Sequence, residues 1–150
     1  MNYKSKAILT IIISLFIMSI IYFLVPRRIA VDLYDDSIAF DEVIITKSYF
    51  DLVEDLPKLD DYKVTNQVDI SKIRSMLYDI KVTPSLLRNA NLSGRYYMIT
   101  FRNFTEQRKI KIKLIDLSHV ENGFKIYKLN SKEAAEKLNI FIESLISSKK

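Results

Sequence analysis

Lys109, Lys111 and Lys113 alternate with Ile110, Ile112 and Leu114. Successive side chains of an extended chain point to opposite faces, so this spacing gathers three ammonium groups on one side and three aliphatic groups on the other. Tyr96 and Met98 come from a run that reads as a pairing strand, and Lys125 and Tyr127 from the next. Together, Tyr96, Met98, Lys109, Lys111, Lys113, Lys125 and Tyr127 form a candidate ligand or partner face for an anionic polymer, a lipid headgroup or an acidic partner. The same pattern also describes an ordinary solvated sheet face balanced by acid elsewhere. Residues 29–80 hold 5 basic and 12 acidic groups, residues 81–150 hold 14 and 6.

Constellations for catalysis are missing from the sequence. A metal site needs clustered ligands, and His119 is the one histidine. Asp32, Asp35 and Asp36, and separately Asp60 and Asp61, lack the alternating ligands, glycine turn and terminal glutamate of a calcium loop. With Gly94 and Gly123 as the two glycines, no phosphate-cradling loop can be built. No G-x-S-x-G occurs, and the only S-x-x-K string of note, Ser147 to Lys150, ends the chain. Asp41 and Glu42 are adjacent in a predicted strand and so face opposite ways. Asn91-Leu92-Ser93 and Asn103-Phe104-Thr105 match glycosylation acceptors, which matter only in a eukaryotic secretory pathway. The absence of cysteine excludes disulfides, a catalytic thiol and a lipidated cysteine. The expectation is a chain that is not an enzyme and binds neither metal nor cofactor.

The elements that must carry this face begin with residues 7–25, AILTIIISLFIMSIIYFLV, which contain no charge. At ~1.5 Å per residue they span roughly 28 Å, close to the ~30 Å hydrocarbon layer and longer than a signal-peptide core of about 7–15 residues. Their Ile, Leu, Phe and Val favour insertion by up to roughly 6 kcal/mol. Tyr3 and Tyr22 fall at the interfaces, Pro26 stops the helix, and FLVPRRIAVD offers no small-residue cleavage pair, so a retained anchor is expected. Lys4 and Lys6 lie before the span and Arg27 and Arg28 after it. The short cationic tail favours a cytoplasmic N-terminus and an extracytoplasmic domain, against the alternative of a domain on the cytoplasmic face. Of 23 basic residues, removing those four leaves 19 against 18 acidic ones, so the domain is nearly neutral and a nucleic-acid partner is not expected.

Beyond the anchor, residues 29–36 read as a connector or first strand, and residues 37–48 as a β-branched strand. Residues 49–68 read as a loop with a helical turn near residues 51–56. Asp69 caps a predicted helix with Ile70, Ile73, Met76, Leu77 and Ile80 on one face, ending before Pro84. Residues 85–93 look irregular. Three strands follow: one opened by Gly94, one over residues 109–114, and GFKIYKL after the Asn122-Gly123 turn, forming a meander. Asn130 with Glu133 fits a capping box before a last helix bearing Leu138, Phe141, Ile142 and Leu145. The predicted fold class is α+β: a transmembrane anchor over residues 1–28, then over residues 29–150 a two-layer domain of about four antiparallel strands with two helices on one face.

The run MNYKSKAILTIIISLFIMSIIYFL, the absence of cysteine, and the segments GRYYMITF, KIKIKLIDL and GFKIYKL resemble small membrane-anchored extracytoplasmic domains of unknown function in Gram-positive bacteria. The resemblance implies a tethered envelope protein and brings no site residues. The expected roles are a noncatalytic interaction module with a protein partner, binding of an anionic wall polymer or lipid headgroup, or immunity against a toxin.

Overall fold

The computed structural model describes residues 3–29, 33, 38–51, 56–85, 96–115, 117–123 and 125–148. Helix α1, Tyr3–Leu24, has exposed apolar side chains around its whole circumference, and its segment Lys6–Leu24 is long and apolar enough to cross a membrane. A helix apolar all round has no preferred inner face, which is what a lipid surround requires. Pro26 ends it, and the Arg27 guanidinium folds back to lie 4.2 Å over the Tyr22 ring and to donate to the Tyr22 carbonyl at 2.7 Å.

The chain then enters one antiparallel sheet. In chain order its strands are β1 (Arg27–Arg28), β2 (Glu42–Asp51), β3 (Leu56–Val64), β4 (Lys81–Pro84), β5 (Tyr96–Asn103), β6 (Arg108–Ile115), β7 (His119–Asn122) and β8 (Lys125–Leu129). In space they run β1-β4-β8-β7-β6-β5-β2-β3. Helices α2 (Gln67–Tyr78) and α3 (Lys132–Ser147) share one hydrophobic core with the sheet. The α+β class stands, with eight strands in place of about four.

The extra strands are those whose sequences hide them. β3, LPKLDDYKV, pairs with β2 from Val43↔Val64 to Asp51↔Leu56 where a loop was expected. It is an edge strand, and an edge tolerates a proline and adjacent aspartates that a central strand would not. The helical turn expected near residues 51–56 is replaced at its ends by strand; residues 52–55 lie outside the described residues. β1, β4 and β7 have two to four residues each, too few to show a period. β7 extends the expected three-stranded meander to four, β5-β6-β7-β8.

Register assigns the faces. Val43, Ile45, Ile99, Phe101, Ile112, Leu114, Val120, Val82 and Leu129 point to the helices and are buried. Against them α2 places Ile70, Ile73 and Leu77, and α3 places Ala135, Leu138, Ile142 and Ile146. On this side the Glu143 carboxylate of α3 takes a 2.6 Å ion pair from Lys47 and a hydrogen bond from the Tyr97 hydroxyl, tying α3 to β2 and β5.

Of residues 29–36, expected as a connector or first strand, the described Ile29 and Leu33 are core, and the strand expected over residues 37–48 begins only at Glu42, with Ile38 and Phe40 before it packed into the same core. Ile29, Leu33, Ile38 and Phe40 are buried, Phe40 meets Phe101 edge to face at 5.1 Å, and the Arg74 guanidinium donates to the Leu33 and Ile38 carbonyls. Two helix starts also differ from the sequence reading. Asn66 caps α2, its side chain accepting from the Val68 amide at 2.9 Å, which leaves Asp69 in the first turn, where its charge suits the helix dipole. Ser131 occupies the N-cap of α3 without capping it, because its hydroxyl accepts from the Lys81 amide at 2.8 Å; Asn130 is engaged by Thr83, so no capping box forms.

Candidate functional site

The second face of the sheet, away from α2 and α3, carries the lysine row. Met98 sits opposite Lys113, Thr100 opposite Lys111 and Arg102 opposite Lys109, while Tyr96 faces Ile115. Tyr96, Met98, Lys111 and Lys113 line one cleft of about 300 Å³, completed by Glu121 and Gly123. Lys113 lies 4.2 Å over the Tyr96 ring and 3.8 Å from the Glu121 carboxylate, so an aromatic face and a carboxylate hold its ammonium in place.

Of the seven residues singled out in the sequence, four thus line this cleft and Lys109 shares its face further along β6. Lys125 and Tyr127 are on the other side of the sheet. Tyr127 pairs with buried Val120 and packs on the main core, and Lys125 pairs with Asn122, whose amide donates to the Ile29 carbonyl. Alternation shows that residues 125 and 127 share a face, but which face depends on the intervening strand β7.

Lys109 and Lys111 crowd one another. The Lys111 charge, helped by partial desolvation and by Arg102, pulls the Lys109 ammonium below the ordinary lysine range. A bound anion would relieve this like-charge repulsion.

This face is not uniformly wet. Glu42, Thr46, Ser48, Thr100 and Ile115 are all buried in it. Glu42 is held by an ion pair from Lys63 to one carboxylate oxygen and by Arg102 at 3.2 Å from the other. The hydrogen bond from Lys63 holds the Glu42 carboxyl below its usual range, outweighing the opposing effect of burial. Asp61 accepts from Thr46 at 2.6 Å.

The remaining chemical candidates are placed as follows. His119 opens β7, with Nδ1 at 2.9 Å from the Ser118 hydroxyl. Asp41 accepts from the Phe104 amide, a turn contact. Asn103 is 8% exposed, its side chain donating to the Ala39 carbonyl and accepting from the Glu106 amide, which leaves a poor glycosylation acceptor. Asp32, Asp35, Asp36, Asn91 to Ser93 and Lys150 lie outside the described residues. Among the described residues no group of three His, Asp or Glu side chains could hold a metal ion.

Sequence reasoning missed a second concavity. It lies between α2 and α3 at the β4 end of the sheet and has a volume of about 830 Å³. Its residues come from two stretches, 72–81 and 130–137, far apart in the chain, so no local spacing could have revealed it.

Comparison with protein-family models, with curated proteins and with solved structures finds no match to this chain.

Proposed function

We propose that this chain is a membrane-tethered, noncatalytic interaction domain of the cell envelope, anchored through residues 7–25 with its α+β domain outside the cytoplasm. The observation that supports the reading is the join between anchor and domain. α1 passes through Pro26 straight into β1, which pairs with β4, and Ile29 and Leu33 just beyond it are core. A domain mounted this way presents its faces at a fixed height and orientation above the bilayer. Tethering supplies effective concentration, so modest intrinsic affinity suffices for a membrane or envelope partner.

The open sheet face is the surface assigned to that partner. Purification of the full chain in mild detergent recovers a partner in fixed stoichiometry, and a benzophenone side chain at Lys111 cross-links to it while one at Ile140, exposed on α3, does not. Recovery of the protein alone, or equal cross-linking from both positions, refutes the assignment.

A second reading, binding of an anionic wall polymer by the same face, draws support from the cleft that joins Tyr96, Met98, Lys111 and Lys113 and from the mutual repulsion of Lys109 and Lys111. It requires that Lys109→Gln, Lys111→Gln and Lys113→Gln together abolish salt-sensitive binding to teichoic acid; unchanged binding eliminates it.

A further inference from the structure

The groove between α2 and α3 is larger than the sheet cleft, and its charge and its position point the same way. Lys72 and Asp79 of α2, Lys81 of β4, and Lys132, Glu133 and Lys137 of α3 line it. Four cationic and two acidic residues line it, an excess of two positive charges; Lys72 lies 4.1 Å over the Phe141 ring, Glu133 is engaged by Lys137 at 2.8 Å, and Lys81 stands at the strand edge of the groove mouth. The volume of about 830 Å³ is within the ~300–1,000 Å³ common for small-molecule sites.

Its position is set by backbone pairing. Arg28 lies opposite Lys81 across the β1–β4 ladder, so the groove starts one strand spacing, about 5 Å, from the first charged residues after the apolar helix. The Arg28 guanidinium lies 3.9 Å over the Tyr78 ring and donates to its hydroxyl, fixing the end of α2 to the same edge. The Ser131 hydroxyl fixes the start of α3 to Lys81. Both walls are therefore locked to the point where the chain leaves the hydrocarbon, the depth at which lipid phosphates lie.

We propose that this groove binds the phosphate-bearing headgroup of an anionic phospholipid drawn from the bilayer that holds α1. Lys81 and Lys132 meet the phosphate, and the carboxylates of Asp79 and Glu133 accept from headgroup hydroxyls. The sheet cleft is the poorer candidate for this ligand: it is smaller, lies on the other face, and its strands are not adjacent to β1. The inference rests on α1 lying in the membrane.

Native mass spectrometry of the full chain, in detergent with equimolar phosphatidylglycerol and phosphatidylcholine, tests it. The wild type retains phosphatidylglycerol several-fold over phosphatidylcholine, and Lys81→Gln with Lys132→Gln brings that ratio close to one. Arg108→Gln, at the start of β6 and outside both concavities, leaves it unchanged. An undiminished ratio in the Lys81/Lys132 variant overturns the proposal. So does complete displacement of the lipid by millimolar glycerol phosphate, which would make a soluble phosphate the ligand. Carbonate extraction separates the two layers of the argument: release of the protein overturns the anchor and the groove together, whereas retention without a lipid preference overturns the groove alone.

Discussion

Glu42 offers the sharpest test of how the lysine-rich face is held together. Its side chain is 3% exposed, whereas the partners Lys63 and Arg102 are 62% and 38% exposed. The asymmetry sets the magnitudes. Replacing both cations, as Lys63→Met with Arg102→Met, strands a buried carboxylate, and losing the partner of a buried charge costs about 3–5 kcal/mol. Protonation relieves that cost, so the Glu42 pKa rises in the double variant. The sign of the pH dependence then reverses. In the wild type the folded pKa lies below the unfolded value of about 4.3, so the stability contributed is complete above that pH and is lost as pH falls through the folded pKa. In the double variant the folded pKa lies above the unfolded value, so stability rises as pH falls from 7 toward 5. Urea unfolding of the detergent-solubilised full chain, followed by tyrosine fluorescence at pH 5, 6 and 7, reads both effects. Adding Glu42→Gln to the double variant removes the stranded charge, recovers most of the loss and flattens the pH dependence. A double variant within about 1 kcal/mol of wild type, or a triple variant no more stable than the double, would refute the argument that burial makes this carboxylate depend on its cations.

Leu33→Ala, which truncates a side chain 1% exposed, lowers unfolding stability by about 2–5 kcal/mol in the same urea assay; a loss under about 0.5 kcal/mol would show that Leu33 is not core. Gly123→Ala costs about 1–2 kcal/mol, because Gly123 holds φ at +64° and the added methyl would meet nothing within 4 Å, so the penalty is that of the backbone alone. Gly123→Asn costs less, and equal losses would contradict a backbone origin. A cysteine at Thr105, in the exposed β5–β6 turn of this cysteine-free chain, reacts with an impermeant maleimide in intact cells; labelling only after permeabilisation would place the domain in the cytoplasm.

The elements legible in advance are those whose period is carried by many residues. The apolar run of residues 7–25 dictates a helix suited to lipid, and the Lys-Ile alternation of residues 109–114 dictates a two-faced strand. The same holds for the faces of α2 and α3, where Ile73, Leu77, Leu138 and Ile142 became core as their spacing requires. Hydrophobic burial acts on each residue alike, so a repeated pattern adds up to a signal that needs no knowledge of the partner.

What tertiary structure alone decided has its cause in pairing. β1, β4 and β7 exist because a neighbouring ladder supplies their hydrogen bonds, and their own two to four residues could not specify them. β3 keeps Asp60 and Asp61 because it lies at an edge. The placement of Tyr127 and Lys125 behind the sheet follows from register, since alternation fixes relative orientation but a shift of one residue inverts the face. The Glu42 ion pairs and the groove between α2 and α3 join residues up to about 65 positions apart, brought together only by the sheet order. The sequence by itself determined an apolar helix, an antiparallel sheet and two covering helices, because those follow from local periodicity; the residues that share a site were decided by long-range pairing.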